Sequence, residues 1–184
     1  MIYPIYTYGQ PVLRKETAEI PAGSPELKQL VNDMFDTMYA ANGVGLAAPQ
    51  IGQSLRLFVI DATPYGDDDP TLANFKKAFI NADIYERSEE TVSMEEGCLS
   101  FPKLYEYVNR PASIRIRYTD ENGAEHDEEY TGMAARVIQH EYDHIEGKVF
   151  VDHLSPLRKT LIKSKLNNFE KGKFSASYKC KPTK

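Results

Sequence analysis

Residues 138–147 read IQHEYDHIEG, and this stretch decides how the rest of the sequence is interpreted. Positions four apart lie on the same face of an α-helix, so His140 and His144 would project from neighbouring turns, with Glu141 beside them. This H-E-x-x-H spacing lets two imidazoles bind one metal ion while the glutamate acts as general base toward a water molecule. The pattern indicates metal-assisted hydrolysis, and a solvated pair of surface histidines is the alternative.

The flanking residues favour a buried helix. The sequence predicts a helix that Thr131 caps and Gly147 ends, with Met133 and Val137 on the stripe that carries the histidines. Imidazoles on an apolar stripe need polar partners inside the protein. Either each histidine has its own hydrogen bond or both share a metal.

Length and composition are those of an ordinary globular protein. The chain has 184 residues, 41% hydrophobic and 27% charged, which predicts a single domain over residues 1–184. Cys98 and Cys180 are far apart and do not suggest a disulfide scaffold. The chain starts without a signal peptide pattern, and no apolar stretch is long enough to span a membrane. We expect a cytoplasmic protein without membrane or DNA partners.

Apolar periodicity predicts an N-terminal helix over residues 24–43, with Ser24 as its cap and Gly43 as its end. A last helix begins at Ser155 and frays into a polar tail. The predicted strands have alternating or β-branched patterns and cover residues 55–61, 78–86, 113–120, 124–130 and 148–152. This order predicts an α+β fold in which antiparallel β-sheets flank the central H-E-x-x-H helix, with helices at both termini.

A catalytic zinc-type site needs a third protein ligand and one position left for water. The extended peptidase pattern would place that ligand at Phe150, which cannot bind metal, and His153 comes three residues late. Cys98, in the turn SMEEGCLSFP, offers a thiol. A lone cysteine is most often a small buried apolar residue. However, Glu95 and Glu96 would disfavour a free thiolate, whereas a divalent metal would deprotonate the thiol.

The stretch NGVGLAAPQIG, residues 42–52, is unusually poor in large side chains. Small residues allow a backbone to approach another group closely, and Gln50 offers an amide that can donate to an oxygen. The alternative is a tight helix-to-strand connection packed under the sheet.

The motifs GVGLAAPQ, EGCLS and QHEYDH, in this order, resemble the three signatures of the peptide deformylases. These metal-dependent amidases remove the formyl group from the N-terminal methionine of new polypeptides, releasing formate, and have an α+β fold. The resemblance implies that Cys98, His140 and His144 bind one divalent metal ion. In the cell this ion is commonly Fe²⁺, and Zn²⁺, Ni²⁺ or Co²⁺ can occupy the site. It further implies that a water on the metal attacks the formyl carbon, with Glu141 as general base and acid.

The same resemblance assigns residues that contact the substrate. Gln50 and the backbone N–H of Leu99 would hold the oxyanion. The residues expected to lie against the substrate backbone are Gly43, Val44, Gly45 and Gly97. The apolar residues that we expect to line a methionine pocket are Val44, Met94, Leu99 and Val137. Tyr105 occupies a position where many bacterial relatives carry arginine, which leaves contacts beyond the methionine open.

Asp143 lies one position off the ligand stripe. We expect Asp143 and Glu96 to pair with Arg110 and lock the cysteine turn to the helix; a solvated aspartate is the alternative. Two other functions stay open: a zinc endopeptidase with Cys98 as an unusual ligand, and a structural metal domain or inactive homologue in which Glu141 is dispensable. A structural site would prefer four protein ligands.

The C-terminal segment 157–184 has its own charge. It holds nine lysines and arginines and one glutamate, a formal charge of +8 against −5 for the whole chain, so the remainder carries −13. The residues predicted to pack its helix on the domain are Leu161, Ile162, Leu166 and Phe169. Such asymmetry suggests a separate partner, and ribosomal RNA at the exit of nascent chains fits this charge. A solubilising tail is the alternative.

Overall fold

The computed structural model describes residues 1–183, in which three α-helices and nine strands are found. The helices are α1 (Leu27–Ala40), α2 (Gly132–Ile145) and α3 (Pro156–Glu170). The strands are β1 (Ile5–Tyr6), β2 (Gly45–Ala47), β3 (Leu57–Asp61), β4 (Lys76–Arg87), β5 (Thr91–Cys98), β6 (Phe101–Pro111), β7 (Ser113–Thr119), β8 (Glu125–Thr131) and β9 (Cys180–Lys181).

The largest sheet is antiparallel throughout and has the strand order β2-β3-β4-β7-β8. Strands β5 and β6 form a separate antiparallel hairpin, whereas β1 and β9 pair in parallel. The predicted α+β fold, with the histidine helix flanked by antiparallel sheets and helices near both termini, is confirmed. Within residues 1–183, no helix has both the length and the apolar character needed to cross a membrane.

Strand β3 explains why the sheet is covered on both faces. All five of its residues are buried, and successive side chains point to opposite faces of a strand. Phe58 and Ile60 belong to the apolar cluster that includes the residues of α2. Leu57 and Val59 belong to the cluster that includes the residues of α1. The sheet therefore lies between the two helices and gives α2 a rigid support.

Two predicted helix features differ in the structure. Helix α1 begins at Leu27, and Ser24 does not cap it, because the Ser24 hydroxyl donates to the Pro21 carbonyl at 2.9 Å. Leu161 on α3 is 61% exposed, whereas Ile162 and Phe169 are buried as expected. Fewer apolar side chains of α3 are therefore buried against the domain than the sequence predicted.

Two predictions near the C-terminus are wrong. Residues 148–152 do not form a strand; Phe150–His153 is a 3-10 helix, and the Asp152 carboxylate accepts the Val149 N–H at 3.0 Å where it begins. The tail after α3 does not fray, because Cys180–Lys181 pairs with Ile5–Tyr6. Backbone pairing of the tail with the first strand was not visible in a polar sequence.

Candidate metal centre

Helix α2 places His140 and His144 inside the protein. Both side chains are buried, and their ring centroids are 5.4 Å apart. Gly147 ends the helix with φ of +73°, and a Cβ there would meet the Arg14 carbonyl oxygen at 2.8 Å. Only glycine fits both the left-handed backbone and this close approach. Gly147 therefore determines where α2 ends.

Cys98 is the last residue of β5 and faces the two histidines. Its Sγ lies 3.3 Å from His144 Nε2, and one ligand atom from each of Cys98, His140 and His144 lies within 4.8 Å of the others. The hairpin register shifts here, since Gly97 pairs with Tyr105 but Cys98 pairs with Phe101. The structure therefore brings together the three residues that the motifs suggested as ligands.

The donor set fits a divalent metal ion. One thiol and two imidazoles match the three-ligand count of catalytic sites, which keep a position open. The Nδ1 atom of His140 is 2.8 Å from Glu96 Oε1, which leaves Nε2 for a metal. A carboxylate behind a ligating imidazole orients the ring and raises its basicity. Within the described residues, the buried Nδ1 of His144 has no hydrogen-bond partner.

The charges around the histidines favour a cation at their centre. Burial lowers the pKa of His144 to about 3, which keeps its imidazole neutral as a ligand must be. Burial also lowers the pKa of His140, but hydrogen bonds and charge from Cys98 and Glu96 outweigh it and hold this pKa well above its ordinary value. The groups that stabilise a proton on His140 would equally stabilise a metal ion.

Glu141 is a buried carboxylic acid beside the cluster. Its Oε1 lies 4.0 Å from His140 Nε2, and its Oε2 has no hydrogen-bond partner within residues 1–183. Burial raises the pKa of Glu141 to about 7. A Cβ at Gly45 would meet Oε1 at 2.7 Å, so this glycine is required for the carboxylate to fit. A carboxyl group with such a pKa can both take and give a proton near neutral pH.

Gln50 is buried, and both ends of its amide are held. Its Oε1 accepts the Ala47 N–H at 2.9 Å, and its Nε2 donates to Ser100 Oγ at 3.1 Å and lies 3.5 Å from Cys98 Sγ. The amide nitrogen is thereby directed at the cysteine turn, where Leu99 follows the thiol. An amide held in this way is preorganised as a hydrogen-bond donor.

A cavity of about 470 Å³ opens in front of the cluster. The predicted site residues among its lining are Gly43, Val44, Gly45, Gly97, Cys98, Leu99, Val137, His140 and Glu141. Met94 does not line this cavity, contrary to our expectation for the methionine pocket. Met94 shares the strand face of Glu96 but lies two residues further from the cysteine turn, opposite Val108.

Several lining residues were not expected from the sequence. They are Tyr65, Met133, Ala176, Ser177 and Tyr178, among others. Met133 shares the helix stripe of Val137, so its spacing could have identified it. Tyr105 also lines the cavity and is 63% exposed. A Cβ at Gly97 would meet its ring at 2.6 Å.

The predicted lock between the cysteine turn and the helix is present. Arg110 donates to both Glu96 oxygens, at 2.6 and 3.0 Å, and to Asp143 Oδ2 at 2.8 Å. Arg136 also donates to Glu96 at 2.7 Å, and His153 Nε2 is 2.7 Å from Asp143. Glu96 thus connects the β5–β6 hairpin to α2 and, through His140, to the candidate metal ligands.

Comparison with known proteins identifies the family of this site. The family model described as polypeptide deformylase matches residues 2–160. The chain belongs to the polypeptide deformylase family. It is 52% identical to a peptide deformylase from Christiangramia forsetii, and the match covers 97% of this chain and 95% of that protein. It is also 52% identical to a peptide deformylase from Cytophaga hutchinsonii, with 98% of this chain and 97% of that protein covered. The chain is therefore a hydrolase of the amidohydrolase class.

Solved deformylase structures agree with this assignment. A crystal structure of a peptide deformylase from Legionella pneumophila matches with a TM-score of 0.81 and 40% identity, covering 93% of this chain and 96% of that one. A structure of Arabidopsis thaliana peptide deformylase 1B in complex with an inhibitor matches with a TM-score of 0.83 and 36% identity, covering 92% and 91%. The family is metal-dependent, and the cluster of Cys98, His140 and His144 can bind a metal.

Replacing Glu96 by glutamine should lower both stability and metal affinity. The substitution removes the carboxylate that buried Arg136 and Arg110 share, although Arg110 keeps its bond to Asp143; a broken buried pair costs about 3–5 kcal/mol. It also removes the carboxylate behind His140, and such losses reduce metal affinity by about 10- to 100-fold. Urea unfolding and metal titration of the purified protein measure the two effects.

Glu95→Gln is the matched control, because Glu95 is the exposed neighbour on the same strand. Its free energy of unfolding should stay within about 0.5 kcal/mol of wild type. Equal stability and equal metal affinity for the two variants would show that Glu96 does not hold the site together.

Proposed function

We propose that this chain removes the N-formyl group from formyl-methionyl nascent polypeptides, using Cys98, His140 and His144 as metal ligands and Glu141 as general base and acid. The observation that carries this proposal is the meeting of the Cys98, His140 and His144 cluster with the buried Glu141 beside one cavity, with Gln50 Nε2 3.5 Å from Cys98 Sγ. We further propose that residues 1–184 act as one domain and that the enzyme works in the cytoplasm, where nascent chains first carry the formyl group.

A bound divalent ion would supply Lewis acidity, lowering the pKa of a water molecule and polarising the formyl oxygen. Glu141 takes the proton of the attacking water on its carboxylate, since its pKa of about 7 makes both protonation states accessible. Glu141 then gives this proton to the leaving amine. The products are formate and a peptide with a free N-terminus.

Two hydrogen-bond donors near the Cys98 thiol stabilise the negative charge that develops on the formyl oxygen. Gln50 Nε2 is directed at the cysteine turn by its bonds to Ala47 and Ser100, and the backbone N–H of Leu99 belongs to that turn. Preorganised donors of this kind act on charge that develops only in the transition state. They therefore accelerate the reaction more than they strengthen substrate binding.

The cavity supports recognition of an extended peptide that starts with methionine. Gly43, Gly45 and Gly97 offer backbone without side chains, so a substrate backbone can approach closely. Val44, Leu99 and Val137 give the cavity an apolar part, which suits the flexible methionine side chain. Met133 joins this apolar part in place of Met94.

The proposed ion in the cell is ferrous iron. A thiolate with two imidazoles and an open position accepts iron, zinc, nickel or cobalt, and availability decides among them. Anaerobic purification followed by metal analysis and by an activity assay on the same sample tests this choice. Zinc alone in a fully active sample would refute it.

Glu141→Gln should keep metal and fold but lose nearly all turnover, because the ligands remain while the proton carrier is gone. The measurement is formate release from formyl-Met-Ala-Ser, with metal content and Tm determined on the same preparation. An internal peptide is offered in parallel, since its cleavage without formate release would support the endopeptidase alternative. Glu146→Gln, at the position that follows the last residue of α2, is the control and should keep activity. A Glu141→Gln variant with near-normal turnover would refute the assigned role and favour a binding module.

Gln50→Ala should lower kcat by about 100- to 1000-fold, the usual effect of losing one oxyanion donor. KM for the formyl-peptide should change much less, because the hydrogen bond strengthens as charge develops. Steady-state kinetics on metal-loaded enzyme measure both constants. A raised KM with unchanged kcat would place Gln50 in ground-state binding only.

A second proposal concerns the C-terminal segment as a ribosome contact. On α3, Lys159, Lys163 and Lys165 are all exposed, so their charges are available to a phosphate-rich partner. Leu157 and Leu161 on the same helix are also exposed, at 69% and 61%. An enzyme for nascent chains gains from waiting where they emerge, and ribosomal RNA supplies the complementary charge.

Charge removal tests this contact without disturbing the buried side of α3. The triple variant Lys159→Gln, Lys163→Gln, Lys165→Gln should co-sediment less with ribosomes at low salt, and its salt dependence should be shallower. Deformylation of a free formyl-peptide should be unchanged.

The control triple variant neutralises Lys15, Lys28 and Lys148, which are exposed lysines outside α3. It should sediment with ribosomes as wild type does. Equal sedimentation of the two triple variants would refute docking through α3.

A further inference from the structure

The residues after α3 form a defined segment, residues 171–183, which we name the C-terminal strap. It begins with Phe174 packed on Phe169, their ring centroids 5.5 Å apart. It ends beside the first strand, where the Ile5 N–H donates to the Lys179 carbonyl at 2.9 Å and β9 pairs with β1. The strap is therefore attached at both ends. It also lies beyond residues 2–160, which the family model matches.

Between these attachments the strap forms part of the cavity wall. Ala176, Ser177 and Tyr178 all line the cavity in front of the metal cluster. Next to them, Ser175 Oγ accepts a hydrogen bond from Lys103 Nζ at 2.7 Å. Lys103 has φ of +63°, a conformation that lysine rarely adopts and that persists only where its surroundings hold it.

Tyr178 connects this wall to the cysteine turn. Its hydroxyl donates to the Leu99 carbonyl oxygen at 2.6 Å, and its ring is half-buried against the cluster that contains α1. Burial raises the pKa of Tyr178, so the phenol stays protonated and remains a donor. The Leu99 carbonyl and the Leu99 N–H flank the same Cα, so fixing one restricts the rotation of the other.

We propose that Tyr178 is a positioning residue for deformylation: it fixes the backbone of Leu99 so that the Leu99 N–H is aimed at the oxygen that becomes negative in the reaction. This inference rests on the proposed function, because it assigns a support to one of the two oxyanion donors. Tyr178 touches neither the reacting atoms nor the candidate ligands in this role. It acts through Leu99.

The test compares Tyr178→Phe with Tyr3→Phe in steady-state deformylation of formyl-Met-Ala-Ser. Tyr3 packs on the same apolar cluster and undergoes the same loss of one hydroxyl, so it controls for packing. We expect Tyr178→Phe to lower kcat by about three- to tenfold, the range set by one neutral hydrogen bond, with KM within about twofold of wild type. Metal content of the two variants should agree, and Tm of Tyr178→Phe should fall below that of Tyr3→Phe by no more than about 5 °C, the effect of one neutral hydrogen bond.

Three results would overturn the inference. They are a kcat for Tyr178→Phe equal to that of Tyr3→Phe, a raised KM with unchanged kcat, and a rate loss that follows a matching loss of bound metal. Wild-type activity in the same assay separates the two proposals. If the wild type releases formate and the two variants match, only the role of Tyr178 fails. If the wild type releases no formate, the proposed function is wrong, and the role of Tyr178 in it is wrong as well.

Discussion

The site depends on the buried carboxylate of Glu96. Its two oxygens accept hydrogen bonds from Arg110 and Arg136, and Oε1 lies 2.8 Å from His140 Nδ1. Burial alone would raise the pKa of Glu96, but its bonds and charges with His140 and Arg110 outweigh burial and hold this pKa far below its ordinary value. A buried charge is tolerated only when opposite charges and hydrogen bonds compensate for its lost hydration. One ionised group therefore joins the β5–β6 hairpin, helix α2 and a candidate metal ligand.

Charge balance around Glu96 explains why the centre suits a dication. Arg110 and Arg136 balance the carboxylates of Glu96 and Asp143, with which they share the interior. The thiolate that Cys98 would offer as a ligand is not balanced by these pairs. Nor is Glu141 once it is ionised, and within the described residues its Oε2 has no partner. A divalent cation between the thiol and the imidazoles would balance both negative groups, and burial would make that attraction strong.

The sequence was sufficient for the centre because its constraints are local or chemically distinctive. The four-residue spacing of His140 and His144 fits a helix, and Cys98 was assigned through the resemblance of EGCLS to a family motif. Four of the five strands of the large sheet were predicted from alternating or β-branched patterns, whereas β2, in the stretch of small residues, was not. The strand prediction for residues 148–152 was wrong because the apolar run VFV is compatible with either a strand or a helical turn. The Asp152 carboxylate, which accepts the Val149 N–H, favours the 3-10 helix. The prediction for Met94 was wrong because Met94 lies four residues before Cys98 on β5, just outside the part of the strand that lines the cavity.

The pairing of the C-terminal strap with β1 could not be predicted, because backbone atoms rather than side-chain patterns form it. Its pairing with β1 uses N–H and C=O groups that every residue carries, so a polar sequence gives no signal. The first strand and the residues just after it also contact the cysteine turn, since the Tyr8 N–H donates to the Ser100 carbonyl and the Ser100 hydroxyl donates to the Tyr6 carbonyl at 2.7 Å. Ser100 Oγ in turn accepts from Gln50. The β1 region and the strap thus both support the cysteine turn, so the geometry of the motif residues depends on segments that carry no motif.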